Sequence, residues 1–279
     1  MKIIQKWIRK EKRKRLEQTL GPLAAYYGTF DEDSRLLSSR GQVEFLTTVR
    51  YVEKYLQKGM RILEIGTATG RYAHYFAQNG YTVDAVELVQ SNIELFKKKT
   101  RPGEPVTVRQ GNAMDLSFFA DNTFDITLLL GPMYHLYTPE DQSRALSEAI
   151  RVTKRGGIIF AAYCMADACL LLHGFGGGEI RKFISRGKVD ENTFACHSGK
   201  KDIFELYRKE QIDALMQPMP CERLHYVATD GCTNLIRHAV DKMSKADFEL
   251  YLRYHFVTCE RLDMSGVSDH TLDIFRKMA

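Results

Sequence analysis

Residues 60–70 read Met-Arg-Ile-Leu-Glu-Ile-Gly-Thr-Ala-Thr-Gly, and no other stretch limits the possible folds so strongly. Ile62, Leu63 and Ile65 make a short apolar run of the kind that forms a buried parallel strand. The run ends at Gly66, and Gly70 precedes a helical pattern over residues 71–78. Glycine at both places permits a tight turn and a close approach to a ligand, because no Cβ intervenes. Seventeen residues beyond Gly70 a second apolar run closes on Glu87. An acidic side chain after the second strand of such a unit is placed to hold a ribose diol. The segment predicts a nucleoside-binding strand–loop–helix–strand unit.

A dinucleotide site requires Gly-x-Gly-x-x-Gly, which seats a pyrophosphate on a helix N-terminus. Here the spacing is Glu64-x-Gly66-x-x-x-Gly70, with an acidic residue inside the strand. It resembles motif I of the class I S-adenosylmethionine-dependent methyltransferases, usually Asp/Glu-x-Gly-x-Gly-x-Gly, and within them the small-molecule, UbiE-like superfamily. Ala68 replaces the middle glycine, which suits the loop if the backbone φ there is negative. The ligand implied by the resemblance, S-adenosylmethionine, carries an ammonium and a sulfonium and no phosphate. An acidic residue near the loop favours those charges.

The 279 residues suffice for one large core, alone or with an added lobe. Apolar residues at 44% and charged residues at 27% are ordinary for a soluble globular protein. No apolar run approaches the ~18–20 residues that cross a bilayer. Charges interrupt Ile3, Ile4, Trp7 and Ile8, so a signal-peptide core is not expected. The six cysteines show no Cys-x-x-Cys spacing and read as thiols in a reducing cytoplasm. The net charge is +5, but residues 1–15 alone carry eight Lys/Arg against one Glu, or +7, which leaves −2 for the rest. That end reads as a basic amphipathic helix. It could touch an anionic membrane or nucleic acid, or dock on its own protein with a solvated basic face.

Residues 16–58 are mostly helical in pattern, with breaks expected around Gly21-Pro22 and Gly41. Strands are expected near 60–65, 81–87, 106–109, 124–130, 158–163, 222–228 and 271–276, with Gly156-Gly157 opening the fifth. Helices fall at 71–79, 90–99, 140–153 and 208–216. This alternation implies an α/β, Rossmann-like, doubly wound and mainly parallel sheet of about seven strands with helical cap insertions. The expected organisation is an N-terminal helical segment over 1–58, the nucleoside-binding domain over 59–164 and 201–279, an inserted lid over 165–200 and a second cap piece over 231–260.

The resemblance is close over residues 60–163 and implies roles by position. Glu64, Gly66, Thr67, Ala68 and Gly70 would surround the methionine part of S-adenosylmethionine. Glu87 would take the ribose hydroxyls, with Leu88 beside the adenine. Asn112, in the turn Gly111-Asn112-Ala113-Met114, would accept from the adenine amine, and Leu130 and Gly131 would flank the sulfonium. Tyr26, Tyr27 and Arg35 resemble residues that related enzymes fold over the cofactor; Tyr27 would face the sulfonium or hydrogen-bond the carboxylate, Arg35 would pair with an acid, and surface packing is the alternative for all three. Gly131 stands where nucleobase amine methyltransferases place Asn or Asp, which disfavours DNA adenine as acceptor.

Tyr134 and His135 remain as polar groups facing a substrate. His135, with an ordinary pKa near ~6.5, is the candidate general base; the alternative is a histidine that only packs at a helix start. Tyr254, His255 and Cys259 read as core, and no metal is expected. The function implied is methyl transfer to an oxygen or nitrogen of a small-molecule acceptor, in the cytoplasm, with S-adenosylhomocysteine as product. Two alternatives stay open: an RNA or protein methyltransferase docking through the basic N-terminus, and a non-catalytic S-adenosylmethionine or S-adenosylhomocysteine binder.

Overall fold

The computed structural model describes residues 21–27 and 32–278. The basic segment 1–15 lies outside the described residues, as do 16–20 of the helical stretch. Residues 21–27 are helical (α1), followed by α2 (Glu32–Leu37) and α3 (Ser39–Glu53). The alternating part runs β1 (Arg61–Ile65), α4 (Arg71–Gln78), β2 (Thr82–Glu87), α5 (Gln90–Lys99), β3 (Val106–Gln110), β4 (Phe124–Leu129), α6 (Pro139–Val152) and β5 (Thr153–Cys164). Then come α7 (Ala166–Cys169), which continues as a π-helix over Leu170–Phe175, α8 (Ile180–Ser185) and α9 (Lys209–Met216). The chain closes with β6 (Cys221–Ala228), α10 (Arg237–Val240), α11 (Lys245–Thr258), α12 (Leu262–Ser265) and β7 (His270–Lys277).

The strands form one seven-stranded sheet in the order β3-β2-β1-β4-β5-β7-β6. β1 to β5 are parallel, and β7 runs antiparallel to both β5 and β6. The strand order reverses between β1 and β4, the switch point where open α/β sheets bind ligands at their carboxyl edge. β5 shows how the two faces are filled. Ile158, Phe160 and Ala162 enter the core shared with α3, α4 and α5, while Ile159, Ala161 and Tyr163 enter the core shared with α6 and α9. That alternation follows from the period of two along a strand. Among the described residues no helix is long and apolar enough to cross a membrane.

Two glycine readings need adjustment. Gly41 does not itself end a helix: the break expected around it falls at Ser38, between α2 and α3, and Gly41 lies in the first turn of α3, whose N-cap Ser38 accepts its N–H at 3.2 Å. A Cβ there would collide with the Arg35 carbonyl, so glycine serves the close turn from α2 into α3. Nor do Gly156 and Gly157 open β5. The strand starts at Thr153, and its pairing with β4 skips from Phe124↔Thr153 to Ile126↔Ile158 around Gly156, at φ +74°. The extra residues form an irregular bend that a glycine tolerates.

The far edge of the sheet rests on an ion pair. Asp273 of β7 is fully buried, and Arg223 of β6 donates to it from Nε at 2.7 Å and Nη2 at 2.8 Å. The third nitrogen of Arg223 reaches Asp213 of α9 at 2.6 Å. Removing one partner of a buried pair leaves an uncompensated charge. Arg223→Met should lower unfolding stability by about 3 kcal/mol in urea denaturation at neutral pH. A loss smaller than ~0.5 kcal/mol would show that the pair does not hold β6 and α9 to the sheet.

Candidate active site

The loops that leave β1, β2, β3 and β4 wall a cleft at the carboxyl edge of the sheet, where open α/β folds bind ligands. The loop after β1 turns through three left-handed residues, Gly66 (φ +80°), Ala68 (φ +47°) and Gly70 (φ +90°). A Cβ on Gly66 would lie 2.5 Å from Pro132 Cδ and 2.9 Å from the Leu130 carbonyl oxygen. A Cβ on Gly70 would lie 2.4 Å from the Phe96 ring. The close approaches that exclude side chains at both glycines are therefore to the protein itself.

Ala68 departs from expectation, since its φ is positive. An L-residue in that region costs roughly 1–2 kcal/mol, and alanine bears it because the loop is anchored on both sides. Glycine would remove the strain but would add about 0.4–1 kcal/mol of freedom to the unfolded chain.

Glu87 is the anchor. One carboxylate oxygen accepts the Ala68 N–H at 2.8 Å; the other accepts the Val89 N–H at 2.8 Å and Asn92 Nδ2 at 3.4 Å. The same side chain lines the cleft. Burial raises its pKa, and these hydrogen bonds work against that rise. Glu64 is different. It is 2% exposed, accepts from Thr67 Oγ1 at 2.8 Å and lies under the loop rather than in the cleft wall. Burial pushes its carboxyl up to about 8.

Of the residues expected around the ligand, Tyr27, Gly66, Ala68, Glu87, Leu88, Asn112, Ala113, Met114, Gly131 and His135 line the cleft. Glu64, Thr67, Gly70 and Leu130 do not: the first three shape the loop from beneath, and Leu130 packs with the core on the α3 side. The sequence reading passed over Leu23, Val89, Asn92 and Leu136, apolar or amide residues with no motif to mark them. Asn112 Oδ1 accepts the Met114 N–H at 2.9 Å, which fixes the turn and leaves a second lone pair. Among the described residues, none that lines the cleft is Lys or Arg, and Glu87 is the only acidic one. A pyrophosphate would find no counter-charge among them. A cationic nucleoside such as S-adenosylmethionine would meet a carboxylate and apolar walls, so the donor set fits that ligand.

His135 ends the short 3₁₀ turn Pro132–His135, which begins after Gly131 at φ +113°. Its Nδ1 lies 2.6 Å from the Ile203 carbonyl oxygen and its Nε2 lies 2.9 Å from the Tyr27 hydroxyl. A carbonyl only accepts, so Nδ1 carries the proton and the neutral ring accepts the Tyr27 hydroxyl at Nε2. Burial lowers the His135 pKa and favours this neutral form.

Tyr27 also lines a second cavity, of about 800 Å³, together with Tyr134, Arg35, Phe204, Asp269 and His270. Tyr134 and His135, expected to face one substrate, thus face different cavities. Met165, Cys169 and His173 bring the 165–200 insertion to the second cavity, whereas residues 231–260 contribute none of its wall. Behind the wall, Arg35 grips Glu44 at 2.5 and 3.2 Å. His270 Nδ1 meets Asp230 at 2.9 Å and Glu44 at 3.7 Å. Those two carboxylates hold His270 well above its usual pKa despite burial, and the Arg35 and His270 charges hold Glu44 down at about 2. His255 is buried and Cys259 contacts the Tyr51 hydroxyl at 3.4 Å, places typical of core residues.

Residues 63–161 match a family described as a methyltransferase domain. A protein of Encephalitozoon cuniculi with the provisional name of a methyltransferase is 27% identical over 77% of this chain and 90% of its own. A demethylmenaquinone methyltransferase of Thermobifida fusca is 36% identical, but the match spans 39% of this chain and 45% of that one. The chain thus spans less than half the length of that enzyme. Among solved structures, the CcbJ methyltransferase of Streptomyces caelestis is 15% identical, with a TM-score of 0.58 over 94% of this chain and 98% of that one; it shares the fold.

Two tests concern the loop. Ala68→Gly should raise unfolding stability by about 0.5 kcal/mol, the left-handed cost less the added chain freedom; a measured loss would mean that the loop is not strained. Glu64 gives a pH signature. Its folded pKa lies above the unfolded one, so folding binds a proton, and stability should fall as pH rises from about 4.5 to about 8. Glu64→Gln should flatten that fall in thermal melts taken across the window, and an unchanged slope would place the titration elsewhere.

Proposed function

We propose that this chain, a class I S-adenosylmethionine-dependent methyltransferase, transfers a methyl group to an oxygen or nitrogen of a small-molecule acceptor seated in the second cavity. The observation that carries this reading is Tyr27, which lines both cavities and is held by His135. When bound, S-adenosylmethionine supplies a methyl carbon already activated by its sulfonium. In this reading Glu87 holds the ribose hydroxyls, Leu88, Asn112, Ala113 and Met114 border the base, and Gly66, Ala68 and Gly131 border the methionine end.

The chain's own contribution to the chemistry is alignment and proton management. Two walled cavities meeting at one side chain bring a nucleophile and an electrophile into line, and alignment alone can supply a large part of the acceleration. His135 is fixed by the Ile203 carbonyl with its accepting nitrogen toward Tyr27. A proton leaving the acceptor can therefore pass to the Tyr27 oxygen while the Tyr27 proton passes to His135 Nε2.

Glu87→Ala should weaken S-adenosylmethionine binding at least ~10-fold, or about 1.4 kcal/mol, in calorimetry; unchanged affinity rejects the ribose role. His135→Ala and Tyr27→Phe should each lower kcat by ~10-fold or more while leaving cofactor affinity nearly unchanged. The double variant should be no worse than the worse single one, because the two groups act as a unit. Additive losses would separate them. The acceptor is found by screening metabolite extracts for uptake of labelled methyl groups.

A further inference from the structure

We propose that the second cavity selects its methyl acceptor as an amine, a cationic head group borne on an aryl or similarly flat apolar frame, with Asp269 as the group that recognises it. The inference rests on the methyl-transfer reading above and names the acceptor class of that same site.

Charge is the first observation. Among the described residues, three carboxylates stand at or directly behind this wall, Glu44, Asp230 and Asp269, against two cations, Arg35 and His270. Glu44 is taken by Arg35 and Asp230 by His270. Asp269 is left over: among the described residues no Lys, Arg or His lies within ion-pair distance of it, and its side-chain hydrogen bond is to the neutral Asn234. The cavity wall thus carries one carboxylate that a ligand cation can pair with. A carboxylate ligand would face Asp269 while both cations are already engaged.

The second observation is the aromatic part of the same cavity wall. Tyr26 packs edge-on against Tyr27 at 5.2 Å and against Phe204 at 5.6 Å, and Tyr134 contributes a fourth ring next to His270. Aromatic faces attract cations and stack on flat apolar bodies. An ammonium between a carboxylate and tyrosine rings satisfies both features of the wall, whereas an alcohol or a phenol leaves Asp269 unpaired.

The proton balance follows. An ammonium nitrogen has no lone pair, so one N–H proton must go first, and the Asp269 carboxylate takes it, giving a free amine and a carboxylic acid. The nitrogen lone pair forms the new N–C bond to the methyl carbon, and the electrons of the breaking C–S bond stay on sulfur as the thioether. The product nitrogen is again cationic; loss of its second proton through Tyr27 to His135 leaves the neutral methylamine. Asp269 is suited to the first step because burial and the neighbouring Asp230 and Glu44 carboxylates raise its carboxyl to about 6, against the opposing pull of His270. At neutral pH it is ionised but a competent proton acceptor.

The test uses matched probes of one skeleton with three head groups: 2-phenylethylamine, 3-phenylpropionate and 2-phenylethanol. Binding is measured by calorimetry to the full chain saturated with S-adenosylhomocysteine. The amine should bind at least ~10-fold tighter than either the acid or the alcohol, and its affinity should weaken as pH falls below about 6 and Asp269 is protonated. Asp269→Asn should remove the preference and Asp269→Glu should keep part of it, with S-adenosylhomocysteine affinity unchanged in both. Equal or tighter binding of the acid or alcohol, no binding of the amine, or an amine preference that survives Asp269→Asn would overturn the inference. Wild-type probe ranking and its pH profile decide the matter even where a variant fails to fold. Failure here with intact S-adenosylhomocysteine binding leaves methyl transfer standing on another acceptor; failure to bind S-adenosylhomocysteine at all removes both readings.

Discussion

The carboxylate of Glu87 joins three pieces of backbone that the β-sheet alone would not hold together. It receives N–H groups from the loop after β1 and from the residue that caps α5, and an amide from the first turn of that helix. Each bond to a buried charged group is stronger than a neutral one. Together they keep Ala68 in a left-handed conformation that alanine would otherwise avoid. The shape of the cleft is therefore stored in a carboxylate that also forms its wall. A ligand hydroxyl that bonds to Glu87 adds to a network already assembled, so little ordering remains for binding to bring about.

The same logic explains what could be read from residues alone. β1, β2, β4 and β5 were legible because each is buried on both faces and shows as an apolar run. The turn at 111–114 and the acid at 87 were legible through spacing within the unit. The loop glycines were located correctly, and the tight turn expected of them appears in their positive φ; what could not be read is that Gly66 and Gly70 also make room for Pro132 and Phe96, neighbours brought in from 66 and 26 residues away. Such a reason exists only in three dimensions. Gly41 is similar: the helix break expected around it lies at Ser38, and the glycine itself sits in the first turn of α3 for lack of space beside Arg35.

The second cavity was scarcely legible, and its composition shows why. Its wall draws on α1, the turn at 132–135, the π-helix after α7, the 204–206 loop and the start of β7. No two of these share a periodic pattern, and Asp269 and His270 are adjacent in sequence without forming any recognisable motif. Methyl transfer also asks little of its side chains beyond alignment, so selection leaves few fixed letters. The paired Tyr27 and His135, separated by 108 residues, could be suspected singly but not as a pair.

The two cavities obey one electrostatic rule through different means. Among the described residues, the first cleft has a carboxylate and no Lys or Arg in its wall, and Arg35 and His270 of the second cavity are each matched by a buried acid. Positive charge on a ligand is therefore favoured on both sides of Tyr27. Two cations brought together repel, yet in a methyl transfer one of them must become neutral before the bond can form. A wall that binds the acceptor as a cation and then removes its proton converts that repulsion into a condition for reaction. In the proposed reading both tasks fall to Asp269, whose carboxyl is raised to about 6, while Glu44, held down at about 2, keeps Arg35 in place.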